Sequence, residues 1–123
     1  MCNVLIVSSS DKGRVMLSEL CKSCSMTDIA TVLSAGQARD LLINKSYDII
    51  IINSPLSDES GKELALFVAE NYCSGVLLLV KKDDADKVSA LVQDAGVFVL
   101  HKPVNRYLFS QSIRLMHAYS KRI

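Results

Sequence analysis

Long apolar runs and an excess of charge of one sign are both missing from this chain of 123 residues. No apolar run reaches the roughly 18 residues that a membrane span requires. The amino terminus has too short an apolar run, and no basic region before it, for a signal peptide. With 14 basic and 13 acidic residues the net charge is +1, so no global field attracts nucleic acid or a membrane. We expect a cytoplasmic protein without membrane contact.

Cysteine is too scarce and too irregularly spaced for a disulfide framework or a zinc site. The cysteines are Cys2, Cys21, Cys24 and Cys73, and we expect reduced thiols. The C-x-x-C at Cys21 and Cys24 falls in the last turns of a predicted helix, where the helix dipole raises the pKa of a thiol. A zinc site would need two more ligands at matching spacing. We therefore predict neither a metal nor a cofactor, and interpret these two residues as inward apolar side chains.

Apolar runs alternate with helical patterns, and no repeat, linker or low-complexity segment interrupts them. The patterns predict strands at 4–7, 29–33, 49–52, 76–80 and 97–100, and helices at 11–24, 34–44, 62–72, 84–94 and from 105 onward. The strands show little polar alternation, which is typical of a parallel sheet covered on both faces. We predict one α/β domain over residues 1–123, with a doubly wound, five-stranded parallel sheet and helices on both faces.

The functional site of such a sheet lies in the crevice beyond the carboxyl ends of its strands. The predicted ends carry Ser8-Ser9-Ser10, Asn53, Val80-Lys81-Lys82 and His101-Lys102-Pro103. Asn53 follows four consecutive isoleucines in DIIIINSPL, although an amide is neither an acid, a base nor a useful nucleophile. The residue at the centre of the predicted site is therefore unreactive, and the function must be inferred from the residues around it.

Four segments of the sequence resemble the receiver domains of bacterial response regulators. They are VLIVSSSDKGR, YDIIIINSPLSDESGKEL, ALVQDAG and LHKPV, in that order. Tyr47-Asp48 before the third strand, Gly61 after it, and the Lys102-Pro103 pair are the most specific features, and the likeness covers essentially the whole chain. The resemblance implies a flavodoxin-like (βα)5 fold and a role in two-component signal transduction.

Most residues on which receiver chemistry depends are absent. The resemblance implies two magnesium-binding acidic residues at Ser8 and Ser9, a phosphoryl-accepting aspartate at Asn53, a threonine or serine at Val80, an aromatic switch at Val99 and a lysine at Lys102. Only the lysine is in place. Neutral serine hydroxyls cannot offset the dehydration of magnesium, and an amide cannot form an acyl phosphate. The resemblance thus implies an atypical pseudo-receiver that is not an enzyme and has no catalytic residues.

The polar groups that remain at the strand ends are complementary without a metal. Lys102 contributes one ammonium among the neutral acceptors Ser8, Ser9 and the Asn53 carbonyl. We predict a degenerate pocket that is locked by direct hydrogen bonds among these groups.

Two alternatives for the strand ends stay open. Asp58 or Asp83 in the rim loops could lend a carboxylate to a rebuilt phosphorylation site, whereas Asp11 is expected to cap the first helix. In the other alternative, the Lys102 pocket, with Lys81 and Lys82 nearby, binds an anion and serves as a ligand-sensing module.

The last predicted helix carries two apolar stripes. The first comprises Phe109, Ile113 and Met116, and the second comprises Leu108, Leu115 and Tyr119. One stripe suffices to dock the helix on the sheet. The second either widens the buried face or forms an interface, since receivers that this chain resembles commonly pair through the fourth helix, the fifth strand with Val99, and the fifth helix. A protein partner or a second copy is expected on that surface.

The run KPVNRYLFSQSIRLMHAYSKRI also looks like the last helix of receivers in antitermination regulators of the ANTAR class. In that class the helix continues into a coiled coil and an RNA-binding output domain. The resemblance implies a role in transcription or antitermination, with nucleic acid contacted only through an output domain outside these residues. The chain is then a fragment of a longer protein.

Overall fold

The computed structural model describes residues 2–121, and it describes the side chains of all of these except Gln93, Tyr119, Ser120 and Lys121. The strands are β1 (Asn3–Val7), β2 (Asp28–Val32), β3 (Ile49–Asn53), β4 (Gly75–Lys81) and β5 (Phe98–Lys102). The helices are α1 (Asp11–Ser23), α2 (Ala35–Asn44), α3 (Gly61–Asn71), α4 (Ala85–Val92) and α5 (Arg106–Lys121). Short 3-10 turns at Lys82–Asp84 and Gln93–Ala95 flank α4. The predicted alternation of strands and helices is confirmed.

All five strands are parallel and follow the order β2-β1-β3-β4-β5. The order reverses direction at β1 and β3, which is the switch point of a flavodoxin-like (βα)5 sheet. The predicted fold class is therefore confirmed. No helix in the described part of the chain is both long enough and apolar enough to span a membrane.

The pleat divides the buried side chains of the sheet into two cores. One face carries Leu5, Val7, Ile50, Ile52, Leu78 and Val80 and packs against α2, α3 and α4. The other carries Val4, Ile6, Ile49, Ile51, Leu77 and Leu79 and packs against α1 and α5. Consecutive residues of a strand point to opposite faces, so the four isoleucines of β3 serve both cores.

Serine residues begin three of the helices. Ser10, Ser34 and Ser60 are the N-cap residues of α1, α2 and α3, and each hydroxyl accepts a hydrogen bond from a backbone N–H of the first turn. The expectation that Asp11 caps the first helix is therefore wrong. Asp11 lies one residue inside the helix and forms an ion pair with Arg14.

Helices α1 and α4 each have a large apolar side chain that is exposed. Met16 on α1 is 40% exposed and Leu91 on α4 is 56% exposed. In α1 the buried stripe is Leu17, Leu20 and Cys21, and Met16 lies beside it. In α4 only Val92 is fully buried, so Leu91 points away from the core. Both stripes are narrower than the apolar pattern of the sequence.

Candidate functional site

The pleat brings three polar side chains to the α1 and α5 face of the sheet edge. Ser8 follows Ile6 by two residues, Asn53 follows Ile51 by two, and Lys102 follows Leu100 by two, and all three preceding residues belong to the α1 and α5 core. Because a strand repeats every two residues, the three polar side chains continue onto that same face. They meet where β1, β3 and β5 end.

Hydrogen bonds join these residues into what we call the Ser8–Asn53–Lys102 chain. The Lys102 Nζ donates to the Asn53 Oδ1 at 3.0 Å and to the Ser54 carbonyl oxygen at 2.5 Å. The Asn53 Nδ2 donates to the Ser8 Oγ at 3.1 Å. The Ser8 hydroxyl, which is fully buried, donates to the Ser10 carbonyl oxygen at 3.3 Å. Among the described residues, no buried side-chain polar atom is left without a partner.

Helix α1 packs closely on the Ser8–Asn53–Lys102 chain at Gly13. A Cβ atom added to Gly13 would lie 2.7 Å from both the Asn53 Nδ2 and the Ser8 Oγ, which is closer than side chains approach. Glycine thus permits the helix backbone to contact the amide directly. The contact leaves no gap between α1 and the Ser8–Asn53 pair.

The donor set at this edge does not fit a magnesium ion. Magnesium is bound through carboxylates and phosphates together with several waters. The side chains of the Ser8–Asn53–Lys102 chain offer a hydroxyl, an amide and an ammonium instead. No group of three or more His, Cys, Asp or Glu side chains in the described part of the protein could hold a metal ion. The positive charge near Asn53 comes from Lys102 itself.

Ser9 and Asp58 lie apart from the Ser8–Asn53–Lys102 chain. The Ser9 Oγ donates to the Leu33 carbonyl oxygen at 2.8 Å and accepts from the Ser57 backbone N–H at 2.9 Å. The Asp58 carboxylate accepts from the backbone N–H groups of Ala35 at 3.0 Å and Gly36 at 2.9 Å. These hydrogen bonds hold the pKa of Asp58 below its usual value, and the bond from Gly36 is the largest cause. Asp58 therefore holds the β3–α3 loop against the start of α2.

Lys102 is half-buried, and its surroundings disfavour the charged form of its side chain. Burial lowers the pKa of Lys102, and the nearby charge of Lys81 lowers it further. An ammonium has three N–H donors, and Lys102 uses two of them on protein acceptors. The lysine is thus engaged mainly with Asn53 and Ser54.

Val80 lies on the opposite face of the sheet from Asn53. Its side chain belongs to the α2, α3 and α4 core, and it borders an open cleft of about 290 Å³. The cleft lies between the β3–α3 loop, the end of β4 and α4, and we call it the α4 cleft. Its lining residues are Ser54, Pro55, Ser60, Lys62, Val80, Lys81, Asp84, Lys87, Val88 and Leu91.

The candidate interface residues have mixed exposure. The first stripe of α5 is buried as predicted, since Phe109, Ile113 and Met116 are at most 4% exposed. In the second stripe Leu108 and Leu115 are exposed, whereas the side chain of Tyr119 lies outside the described residues. Val99 is half-buried against the α2, α3 and α4 core. The exposed pair leaves α5 with an apolar strip toward solvent.

The thiols take no part in this edge of the sheet. All four cysteines are free. Cys21 is buried, and burial raises its pKa to about 12, with Cys24 and Cys2 adding to the shift. A thiol with so high a pKa is unreactive at neutral pH, which agrees with the interpretation of Cys21 as an apolar side chain.

Sequence reasoning missed Gly13, Ser54 and two of the three lysines of the α4 cleft. A lone glycine in a helix carries no signal of a close approach, and Ser54 acts through its backbone carbonyl, which every residue type offers. Lys62 and Lys87 are scattered along the sequence and meet only in the folded chain. The sequence does show that Asn53 shares one face of the strand with Ile49 and Ile51, because the side chains of a strand alternate between its faces.

Comparisons with known proteins find similarity in structure alone. No protein-family model matches the chain, and no curated protein matches it significantly. A response regulator receiver domain protein of Clostridium thermocellum has a TM-score of 0.85 and 19% identity, with 98% of each chain covered. A chemotaxis response regulator of Vibrio cholerae has a TM-score of 0.79 and 20% identity, with 94% of this chain and 98% of that chain covered.

A longer neighbour is a response regulator of Thermotoga maritima, described as an OmpR/PhoB homolog. It has a TM-score of 0.79 and 20% identity, and the alignment covers 98% of this chain and 54% of that one. At these identities the likeness concerns the arrangement of the backbone. The chain has the fold of response regulator receiver domains.

Proposed function

We propose that this chain is a signalling domain of receiver type that acts by protein contact and does not accept a phosphoryl group. The observation that carries the proposal is the state of Asn53, whose carbonyl accepts from Lys102 and whose amide donates to Ser8. Both polar ends of the side chain are committed to neutral or cationic partners. The position of the expected nucleophile therefore serves as a structural link between β1, β3 and β5.

The charges around Asn53 support the loss of phosphoryl transfer. Such transfer depends on positioning and on neutralisation of the developing negative charge by a metal. Asp58 binds the start of α2, and Asp83 is exposed in a 3-10 turn, so neither joins Asn53. Lys102 remains as the one charged partner of the amide in the described structure.

The test is incubation with a small phosphodonor and magnesium, followed by intact-mass measurement. We expect no phosphoryl adduct on this chain. Asn53→Asp is the matched variant, because it restores the nucleophile but leaves Ser8 and Ser9 uncharged, and we expect no adduct there either. An adduct on the unaltered chain would refute the proposal. An adduct on the variant alone would show that the metal-binding pair is not what blocks the reaction.

We also propose that the contact surface consists of α4, β5 and α5. Leu115 is 60% exposed and Leu108 is 43% exposed, and their spacing of seven residues places them on one side of α5. A protein partner or a second copy would cover this strip. Scattering mass measured over a dilution series, with Leu115→Glu as the comparison, tests for a second copy. A monomer at high concentration, unchanged by the substitution, would rule out self-association.

The resemblance of the last helix to that of ANTAR-class regulators supports transcription or antitermination as the output of this domain. The output would then come from a further domain in the same polypeptide. The alternative function, anion sensing at Lys102, has less support, because two protein acceptors already engage that ammonium.

A further inference from the structure

The α4 cleft has an apolar floor that the protein leaves open. Pro55, Val80, Val88 and Leu91 contribute apolar side chains to it, and Leu91 is 56% exposed on α4. An apolar side chain placed against Leu91 would remove apolar surface of this residue from water, which is favourable. The floor therefore favours an apolar side chain from outside.

The rim of the α4 cleft is positively charged. Lys62, Lys81 and Lys87 line it together with one acidic residue, Asp84, so the local charge is about +2 by residue type, whereas the whole chain carries +1. The salt bridges of the described residues join Arg14 to Asp11 and Arg39 to Glu59. None of the three rim lysines takes part in them, so their charge is available to a negative group.

Shape and charge together favour one kind of occupant. Sites for small molecules usually enclose most of the ligand within roughly 300–1,000 Å³ and orient it with a few placed polar groups. The α4 cleft is open and has about 290 Å³, and its lysines are flexible point charges that do not define one orientation. We propose that the α4 cleft docks an acidic segment of a partner protein, with one apolar side chain on the floor and flanking carboxylates on the lysines.

This surface differs from the face of α4, β5 and α5 that we propose as the main contact surface, although both accord with a domain that acts by protein contact. The α4 cleft also adjoins the Ser8–Asn53–Lys102 chain. Ser54 lines the cleft and its carbonyl accepts from Lys102, and Lys81 lines the cleft and pairs in register with Lys102. Ser54 and Lys81 would therefore link an acidic segment bound in the cleft to Lys102 and Asn53.

A synthetic peptide of alternating glutamate and leucine, blocked at both ends, is a suitable probe. We expect it to shift the backbone amide resonances of the α4 cleft saturably, and the affinity to fall as salt is added. Lys87→Glu and Leu91→Gln should each weaken binding about tenfold. The matched controls are Lys22→Glu on α1 and Ile43→Gln on α2, both exposed and outside the cleft. They should leave the affinity within about twofold.

Four results would overturn the proposal. The first is no saturable shift at the cleft, and the second is equal affinity for a peptide with glutamine in place of glutamate. The third is a shift of the same amides by inorganic phosphate but not by the peptide, which would indicate a small-anion site. The fourth is a concentration-dependent shift without peptide, which would place a second copy in the cleft. The phosphodonor experiment is independent of all four, so either proposal can fail alone.

Discussion

The two polar regions at the carboxyl edge of the sheet use their lysines in opposite ways. In the Ser8–Asn53–Lys102 chain, the ammonium is half-buried and donates to two acceptors of the protein. In the α4 cleft, no rim lysine takes part in the salt bridges of the described residues. The ammonium of Lys102 is bound by acceptors within the protein, whereas Lys81 and Lys87 on the rim of the cleft are exposed to solvent.

The pleat of the sheet places the centres of the two regions, Asn53 and Val80, on opposite sides of the sheet. Asn53 lies on the side of α1 and α5, and Val80 lies on the side of α2, α3 and α4. Ends of neighbouring strands therefore do not form one site merely because they share an edge. The comparison teaches that an internal structural link and an open, lysine-rimmed cleft can lie back to back within a few residues.

The largest effect is expected where the two regions touch, at Gly61. A Cβ atom added there would lie 2.6 Å from the Ser54 Cβ, and Ser54 belongs to the cleft lining and accepts from Lys102. Gly61→Ala should lower the free energy of unfolding by about 1–3 kcal/mol, as overpacking does. Chemical denaturation measures it.

Gly36→Ala is the control for Gly61→Ala. At Gly36 the nearest atom to an added Cβ is the Asp58 Oδ2 at 3.3 Å, and the residue is exposed in the first turn of α2. We expect a change within about 0.5 kcal/mol. If Gly61→Ala destabilises the protein as little as Gly36→Ala does, Ser54 is not tightly held.

The second prediction separates the engaged lysine from the unengaged ones. Lys102→Met removes the donor of the Asn53 Oδ1 and of the Ser54 carbonyl, and we expect a loss of about 1–2 kcal/mol because half-buried acceptors lose their partner. Lys87→Met, on the exposed rim of the cleft, should change the free energy of unfolding by less than about 0.5 kcal/mol. Denaturation midpoints that coincide for the two variants would remove the distinction between the regions.

The third prediction concerns the loop that joins the two regions. Asp58 holds this loop against α2, and hydrogen bonds from Gly36 and Ala35 keep its folded pKa below the usual 3.8. For an acid with a lowered folded pKa, the stabilisation is complete above the unfolded pKa and is lost as the pH falls through the folded one. Asp58→Asn should therefore lower the melting temperature near neutral pH, and the difference from the unaltered chain should shrink as the pH falls below about 4.

Asp40→Asn tests whether the effect belongs to the Asp58 contact. Asp40 is an exposed carboxylate of the same helix, α2, and its removal causes the same change of charge. We expect a smaller difference in melting temperature. A gap for Asp58→Asn that persists unchanged into acid would contradict the role of its ionised form.

The order of strands and helices could be predicted because buried parallel strands are nearly continuous apolar runs and are separated by helical patterns. The same property hid part of the site. Four isoleucines in β3 contain no polar alternation, so the sequence pattern does not show which helices cover the face that Asn53 shares with Ile49 and Ile51. For that reason Ser9 and Val80 were grouped with Asn53, whereas the structure separates them from it.

The apolar pattern of a helix does not determine the width of its buried face. An apolar pattern on α4 includes Val88, Leu91 and Val92, but it does not say how much of the helix surface the core covers. Only Val92 is fully buried, and Leu91 lies in the α4 cleft. The widths of buried stripes depend on the neighbouring loops, here residues 54–60, whose path is not encoded in any local periodicity.

The smallest effect links the two regions through charge. Lys81 pairs in register with Lys102, and after burial its charge is the second cause that lowers the pKa of Lys102 from the usual 10.5. Lys81→Gln removes this repulsion, so the pKa of Lys102 should rise, as nitrogen-detected NMR of the lysine side chains can measure. A lysine with a lowered folded pKa makes stability increase with pH between the folded and unfolded values, and this increase should become smaller in Lys81→Gln. Lys87→Gln removes a charge that does not contribute to the shift and should leave the Lys102 titration nearly unchanged. If both variants shift the Lys102 titration equally, the charge of Lys81 does not link the α4 cleft to the Ser8–Asn53–Lys102 chain.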